Sequence, residues 1–286
     1  MMELSKYKSE TRPDWCPGCG DFGVLNALIQ AVANLEIDPK DLFVVSGIGC
    51  SSNLPGFIHS YGFHSLHGRA MPIATGARLA NPDLNVVVTG GDGDGYGIGL
   101  GHFVHAMRRN LDIAYIVMDN QIYGLTTGQA SPTSQPGFAT KSSPMGTIEQ
   151  PINPIALALV AGATYVSRGF SGDPKHLTEL IQNGIKHKGF ALIDVFSPCV
   201  TWNKINTYDY FRQKCYKING PDYDPSNLDQ AIVRSRESWD AKIPIGLFYE
   251  TQRPTYEEQD PALKLGNPVK STLGVPDPQA LFKEFI

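Results

Sequence analysis

Thr89-Gly-Gly-Asp-Gly-Asp-Gly-Tyr-Gly-Ile-Gly99 runs directly on from Asn85-Val-Val-Val-Thr89, and its reading decides the fold. The β-branched run has the character of a short strand buried on both faces. Glycines after such a strand let the main chain approach an anion closely and turn its N–H groups toward phosphate oxygens. A helix opening near Gly97 would add the positive end of its dipole. Asp92, at the strand tip, is a hard oxygen ligand of the kind Mg²⁺ takes together with substrate phosphate. In a parallel sheet the second ligand belongs at the tip of the next strand, where Asp119-Asn120-Gln-Ile-Tyr-Gly124 stands. The 26 residues between Gly93 and Asn120 leave room for one helix and one strand. A dinucleotide site fits less well, because its acidic residue belongs about 20 residues beyond the glycines.

Working outward, strand-like runs at Leu42–Ser46, Asn85–Thr89, Ile113–Met118, Ala163–Ser167 and Ala191–Val195 alternate with helix candidates. The helix candidates are Asp21–Asn34, Gly68–Ala80, Gly97–Arg109, Ile155–Ala161 and Pro174–Lys188, the last opened by Asp173 as N-cap. This alternation predicts an α/β fold, a mostly parallel sheet with helices on both faces and ligands at the carboxyl ends of its strands. Residues 124–154, rich in Gly, Ser, Thr and Pro, read as a long functional loop. From Lys204 the composition shifts to Tyr, Asp and Pro. The expected organisation is therefore one α/β domain over residues 1–203 and a C-terminal extension over 204–286, with one helix at Asn227–Lys242 and an extended arm.

The 286 residues carry a formal charge of −4 and no basic block, which argues against nucleic acid or an anionic membrane as main partner. The longest nearly apolar stretch, Ile155–Val166, falls well short of the roughly 20 residues a spanning helix needs. MMELSKYKSE has no apolar signal-peptide core, so a cytoplasmic location is expected. Structural disulfides are then unlikely partners for the five cysteines, and metal or redox work suits them better. Trp15-Cys16-Pro-Gly-Cys19-Gly precedes the first helix, Cys50 follows the first strand, and Cys199 follows the Ala191–Val195 strand. These four thiols can complete either an iron–sulfur site or a closed Zn²⁺ site, and Cys215 is left over.

WCPGCG, GIGCSS, HSLHGRAMPIATGARLANP, GGDGDGYGIG, DNQIYGLTTGQASPTS and SPCVTWN together resemble the β subunit of 2-oxoacid:ferredoxin oxidoreductases, most closely the short archaeal type, over about residues 12–215. GDG followed at this spacing by Asn also resembles the signature of thiamine diphosphate enzymes generally. The resemblance implies CoA-dependent oxidative decarboxylation of a 2-oxoacid to acyl-CoA and CO₂, with ferredoxin reduced. It implies Mg²⁺ on the Asp92 and Asn120 side chains and the Ile122 carbonyl, and one [4Fe–4S] cluster on Cys16, Cys19, Cys50 and Cys199. Ile48, Gly49, Cys50, Ser51, His67, Gly93, Asp94, Gly124 and Leu125 would line the thiamine diphosphate, with His67 as the candidate catalytic donor.

Thiamine also needs a carboxylate at its aminopyrimidine, and this chain has room for only one such α/β domain. A larger α subunit is therefore expected to supply the pyrimidine-binding domain and the activating Glu, as a heterodimer. The loop Leu125–Thr133 offers hydroxyls and an amide but no Lys or Arg, which favours pyruvate and other small or apolar 2-oxoacids over a second carboxylate. His64 with His67, and His102 with His105, have metal-compatible spacing without an evident acidic partner, and Arg69 and Arg78 read as structural or interface residues. The rival readings are a non-oxidative thiamine-dependent decarboxylase or synthase subunit with structural zinc, and a non-catalytic scaffold subunit.

Overall fold

The computed structural model describes every residue except 1, 2, 219, 238, 240, 273, 275, 276, 284 and 286. In chain order it builds α1 (Asp21–Asn34), β1 (Leu42–Ser46), β2 (Tyr61–His64), α2 (Ala70–Ala80), β3 (Asn85–Gly91), α3 (Leu100–Arg109) and β4 (Ile113–Asp119). There follow α4 (Pro154–Ala161), β5 (Tyr165–Phe170), α5 (Pro174–Lys186), β6 (Phe190–Phe196), α6 (Tyr208–Lys214), β7 (Cys215–Lys217), α7 (Leu228–Ser235), β8 (Ile243–Glu250) and α8 (Tyr256–Gln259). The strands form one sheet in the order β2-β1-β3-β4-β6-β5-β8-β7. All pairs are parallel except β5 with β8. This is the expected α/β fold with a mostly parallel sheet.

Both faces are covered because successive strand residues alternate sides. Val87 packs with Val24, Leu28 and Val32 of α1 and Leu177 and Ile181 of α5. Its neighbours Val86 and Val88 face Met71, Phe103, Met107 and Ile155 of α2, α3 and α4. Each such fully buried side chain contributes about 1.5–3 kcal/mol relative to exposure. Local signals stop the helices where they stop: Asn153 and Asp173 cap α4 and α5 through the N–H groups of Ala156 and His176, and Gly162 closes α4 at φ 85°.

The extension beyond Lys204 departs from the expected arm. β8 adds antiparallel to β5 and β7 adds parallel to β8, so residues 215–217 and 243–250 of the extension join the sheet. The helix expected over Asn227–Lys242 is confined to Leu228–Ser235. Ile243–Glu250 escaped detection because its Pro244 and Gly246 disrupt the β-rich pattern; Gly246 sits at φ 129°. Tyr61–His64 was equally hidden: this edge strand is only four residues long and exposed along its whole length. Phe282 and Phe285 are exposed, at 68% and 86%.

The consequence for function lies at one edge. In register, Ser46 stands beside Thr89, Gly91 beside Met118, and Asp119 beside Phe196. The carboxyl ends of β1, β3, β4 and β6 therefore line up, and the segments leaving them are 47–51, 92–99, 120–126 and 197–199. These carry nearly all the residues singled out in the sequence.

Candidate active site

A cavity of about 230 Å³ opens at the tips of β1, β3 and β4. Ile48, Gly49, Cys50, Ser51, His67, Asp92, Gly93, Asp94, Asn120, Ile122, Gly124 and Leu125 all line it, together with Gly91, Tyr123 and Thr126. No Lys or Arg is among these lining residues. Its walls depend on missing side chains. A Cβ on Gly93 would stand 2.1 Å from the Tyr123 ring, and one on Gly124 would stand 3.4 Å from Cys199 Sγ and 3.8 Å from Cys50 Sγ. Gly49 holds φ 135°, a conformation L side chains rarely adopt. The chain after β3 forms a helical segment over Gly93–Ile98 that breaks at Gly97 before α3 begins at Leu100, so the helix opens slightly later than expected.

Asp94 lines the cavity while its carboxylate ties the surrounding loops together. Its Oδ1 accepts from Ile48 N at 2.8 Å and Gly68 N at 2.7 Å, and His67 Nδ1 lies 2.9 Å away. His67 thus has the acidic partner that its spacing did not reveal. His64 instead points its Nδ1 at Ser52 O, 2.9 Å away.

Asp92 is only 2% exposed and meets the 124–154 loop. Its Oδ2 accepts from Ser131 Oγ at 2.5 Å and Thr133 Oγ1 at 2.6 Å, and Thr133 Oγ1 also stands 2.8 Å from Asp119 Oδ1. Burial pushes the Asp92 carboxyl up to about 6 and Asp119 well above the carboxylate range. A divalent cation beside Asp92 would favour its charged form instead. Asn120 Oδ1 accepts from Ile122 N at 3.1 Å, and Tyr123 Oη donates to Gly93 O at 3.1 Å.

The segments that carry four of the cysteines meet beside this cavity. Cys19 N donates to Cys16 O at 2.9 Å, Gly20 N to Pro198 O at 3.1 Å, and Trp15 Nε1 to Cys50 O at 2.7 Å, so three distant segments meet. Burial, then Asp21, then Cys199 and Cys16 push the Cys50 thiol up to about 12, and burial and Asp21 raise Cys19 as well. All five cysteines are free. Among the described residues no three His, Cys, Asp or Glu side chains form a group that could hold a metal ion. Cys215 lies apart at the start of β7, packed on the Phe170, Phe196 and Phe211 cluster.

Sequence reasoning passed over Tyr123 and Asp21, and it read Ser131 and Thr133 as loop hydroxyls near the substrate, whereas they bond Asp92 and Asp119. Only these two hydroxyls had a usable signal, as part of the long loop. Asp21 is 1% exposed and accepts from Ser197 Oγ at 2.6 Å, a contact across 176 positions.

The model of the "Thiamine pyrophosphate enzyme, C-terminal TPP binding domain" family matches residues 47–195, and that of the C-terminal region of the pyruvate ferredoxin oxidoreductase beta subunit matches 199–265. A 2-oxoacid:ferredoxin oxidoreductase subunit beta from Sulfolobus sp is 52% identical over 259 residues, covering 86% of this chain and 85% of that one. The chain belongs to the 2-oxoacid:ferredoxin oxidoreductase β-subunit family. A second β subunit of this family, 2-oxoacid:ferredoxin oxidoreductase 1 of Aeropyrum pernix, is 46% identical and covers 93% of this chain and 88% of its own. A solved structure, the 2-oxoglutarate:ferredoxin oxidoreductase from Magnetococcus marinus with 2-oxoglutarate, coenzyme A and succinyl-CoA bound, aligns with TM-score 0.91 and 45% identity over 99% of this chain and 96% of that one. As a β subunit the chain works within a multi-subunit 2-oxoacid:ferredoxin oxidoreductase. Among the described residues no helix is long and apolar enough to cross a membrane.

Proposed function

We propose that this β subunit holds the diphosphate of thiamine diphosphate through Mg²⁺, places a [4Fe–4S] cluster beside it, and takes part in CoA-dependent oxidative decarboxylation of 2-oxoacids to acyl-CoA and CO₂ with ferredoxin as acceptor. The observation that carries the reading is the cavity itself. Its walls are glycine-rich and hold two carboxylates but no Lys or Arg, so an anion there needs a divalent cation and backbone N–H groups to hold it.

Asp92, Asn120 and the Ile122 carbonyl would bind Mg²⁺, and Cys16, Cys19, Cys50 and Cys199 would ligate the cluster. Thiamine would supply the nucleophilic carbon and electron sink, and the cluster a one-electron outlet. The chain's own residues do the positioning. Asp94 fixes the main chain at Ile48 and Gly68, and its contact with Nδ1 orients the His67 ring at the cavity wall. Gly124 keeps the floor thin where Cys50 and Cys199 approach, which shortens the route for electrons. No Glu lines the cavity, in keeping with an activating Glu supplied by a larger α subunit with the pyrimidine-binding domain. The reading includes a cytoplasmic setting, where free thiols persist.

Leu125 and Thr126 give the 2-oxoacid end of the cavity no cation, so pyruvate and other small or apolar 2-oxoacids remain the proposed substrates. Equal turnover of pyruvate and 2-oxoglutarate by the complex would remove that preference. The decisive experiment is anaerobic analysis of the purified complex. Expected are thiamine diphosphate, magnesium, and four irons with four sulfides per β subunit, roughly as one cubane requires. Zinc in place of iron, or no thiamine diphosphate, would overturn the reading.

A further inference from the structure

We propose that Ser131 and Thr133 are positioning residues for the cation at Asp92, and that through them the 124–154 loop is part of the metal site. This inference rests on the Mg²⁺ reading above and concerns residues outside the proposed ligand set. Both hydroxyls converge on one oxygen, Asp92 Oδ2, at 2.5 and 2.6 Å. Both engage the same oxygen of the carboxylate and so fix its orientation. Thr133 also reaches Asp119 Oδ1 at 2.8 Å, so one side chain spans the tips of β3 and β4 that carry Asp92 and Asn120.

The turn is itself immobilised. Ser131 N donates to Ser134 Oγ at 2.8 Å, Ser134 Oγ donates to Gln121 O at 2.7 Å, and Ile152 N donates to Pro132 O at 2.8 Å. Ser131, Thr133 and Ser134 are 8%, 1% and 3% exposed. Three hydroxyl residues sunk into the interior need partners, and the partners here are strand-tip groups of the proposed metal site. A carboxylate ligand held by such outer contacts loses about 10–100-fold in metal affinity when they are removed.

The test uses the complex with its partner subunit, stripped of magnesium by chelation, and reads Mg²⁺-dependent binding of thiamine diphosphate by calorimetry. Thr133→Val and Ser131→Ala are each expected to raise the half-saturating Mg²⁺ concentration about 10–100-fold. Thr133→Ser should restore near wild-type affinity, because it returns the hydroxyl; iron content should be unchanged in all three. Wild-type Mg²⁺ affinity in both Thr133→Val and Ser131→Ala would overturn the proposal while leaving the cofactor reading intact. If Thr133→Val does not fold, Ser131→Ala alone decides between the two. A wild-type complex that binds thiamine diphosphate without Mg²⁺, or not at all, would remove the underlying reading and this inference with it.

Discussion

Asp94 does the work of three contacts with one oxygen, and no apolar or shorter side chain can replace it. Asp94→Ala would leave the N–H groups of Ile48 and Gly68 without their acceptor, at a cost of about 1–3 kcal/mol for each that stays buried. Chemical denaturation should show the loss of stability, and cofactor titration a parallel loss of thiamine diphosphate binding. Asp94→Asn, which keeps an acceptor oxygen, should lose less of both. Another residue sets a pH limit. His187 Nε2 stands 2.8 Å from Thr164 Oγ1, whose proton goes to Asn110 Oδ1 at 2.7 Å, so Nε2 is placed to donate to Thr164. Burial lowers its pKa, outweighing the opposing pull of Glu250. A depressed histidine adds stability above its unfolded pKa of about 6.5 and loses it as pH falls toward the folded value. The buried carboxyls of Asp21 and Asp92, raised to about 6, act in the opposite sense, so the readout is the difference: on going from pH 7 to 5.5 the melting temperature of His187→Gln should fall less, or rise more, than that of the wild type.

Elements meet where small residues let them. The start of α1 lies against the segment after β6, and a Cβ on Gly20 would stand 2.5 Å from Ser197 Oγ and 2.7 Å from Pro198 N. That contact brings the segment of Cys16 and Cys19 against the segment of Cys199. Gly20→Ala should push the two segments apart and lower iron per β subunit, measured by metal analysis and visible absorbance, while Mg²⁺-dependent thiamine diphosphate binding persists. Retained iron would show that the thiols do not need this approach. The elements also show what could be read early. α1 appears at its expected bounds because its apolar spacing and flanks are local. β2, β7 and β8 were not legible, because short or glycine- and proline-broken strands gain their character from the neighbour they pair with.

Across the whole molecule the C-terminal segment acts as a clasp. Arg78 on α2 donates from Nη2 to Asp112 at 2.6 Å and from Nε to Glu257 of α8 at 2.9 Å, both nearly buried, which makes it the structural residue its position implied. Arg78→Ala takes the guanidinium from Asp112 and Glu257, which keep Lys188 and the Asp112 N–H respectively, and should cost about 1–3 kcal/mol. Calorimetry should show the loss, with residues beyond 253 becoming the first site of proteolysis. Closure of the sheet by β7 and β8 also means that a chain truncated at 203 would expose β5 as an edge.

From its own order of residues this chain determined the α/β alternation, the glycine-rich turn after β3, the carboxylate and amide side chains at two strand tips and the thiols that follow or precede regular elements. These depend on spacing along a few turns or one strand–helix unit, over which the chain's geometry is nearly fixed. Only the tertiary structure decided that Thr133 would reach Asp92, that Asp21 would hold Ser197, and that the extension would become two strands. Such contacts join positions tens to hundreds of residues apart, and nothing in the local pattern selects one buried hydroxyl or edge over another until the sheet has set their distances.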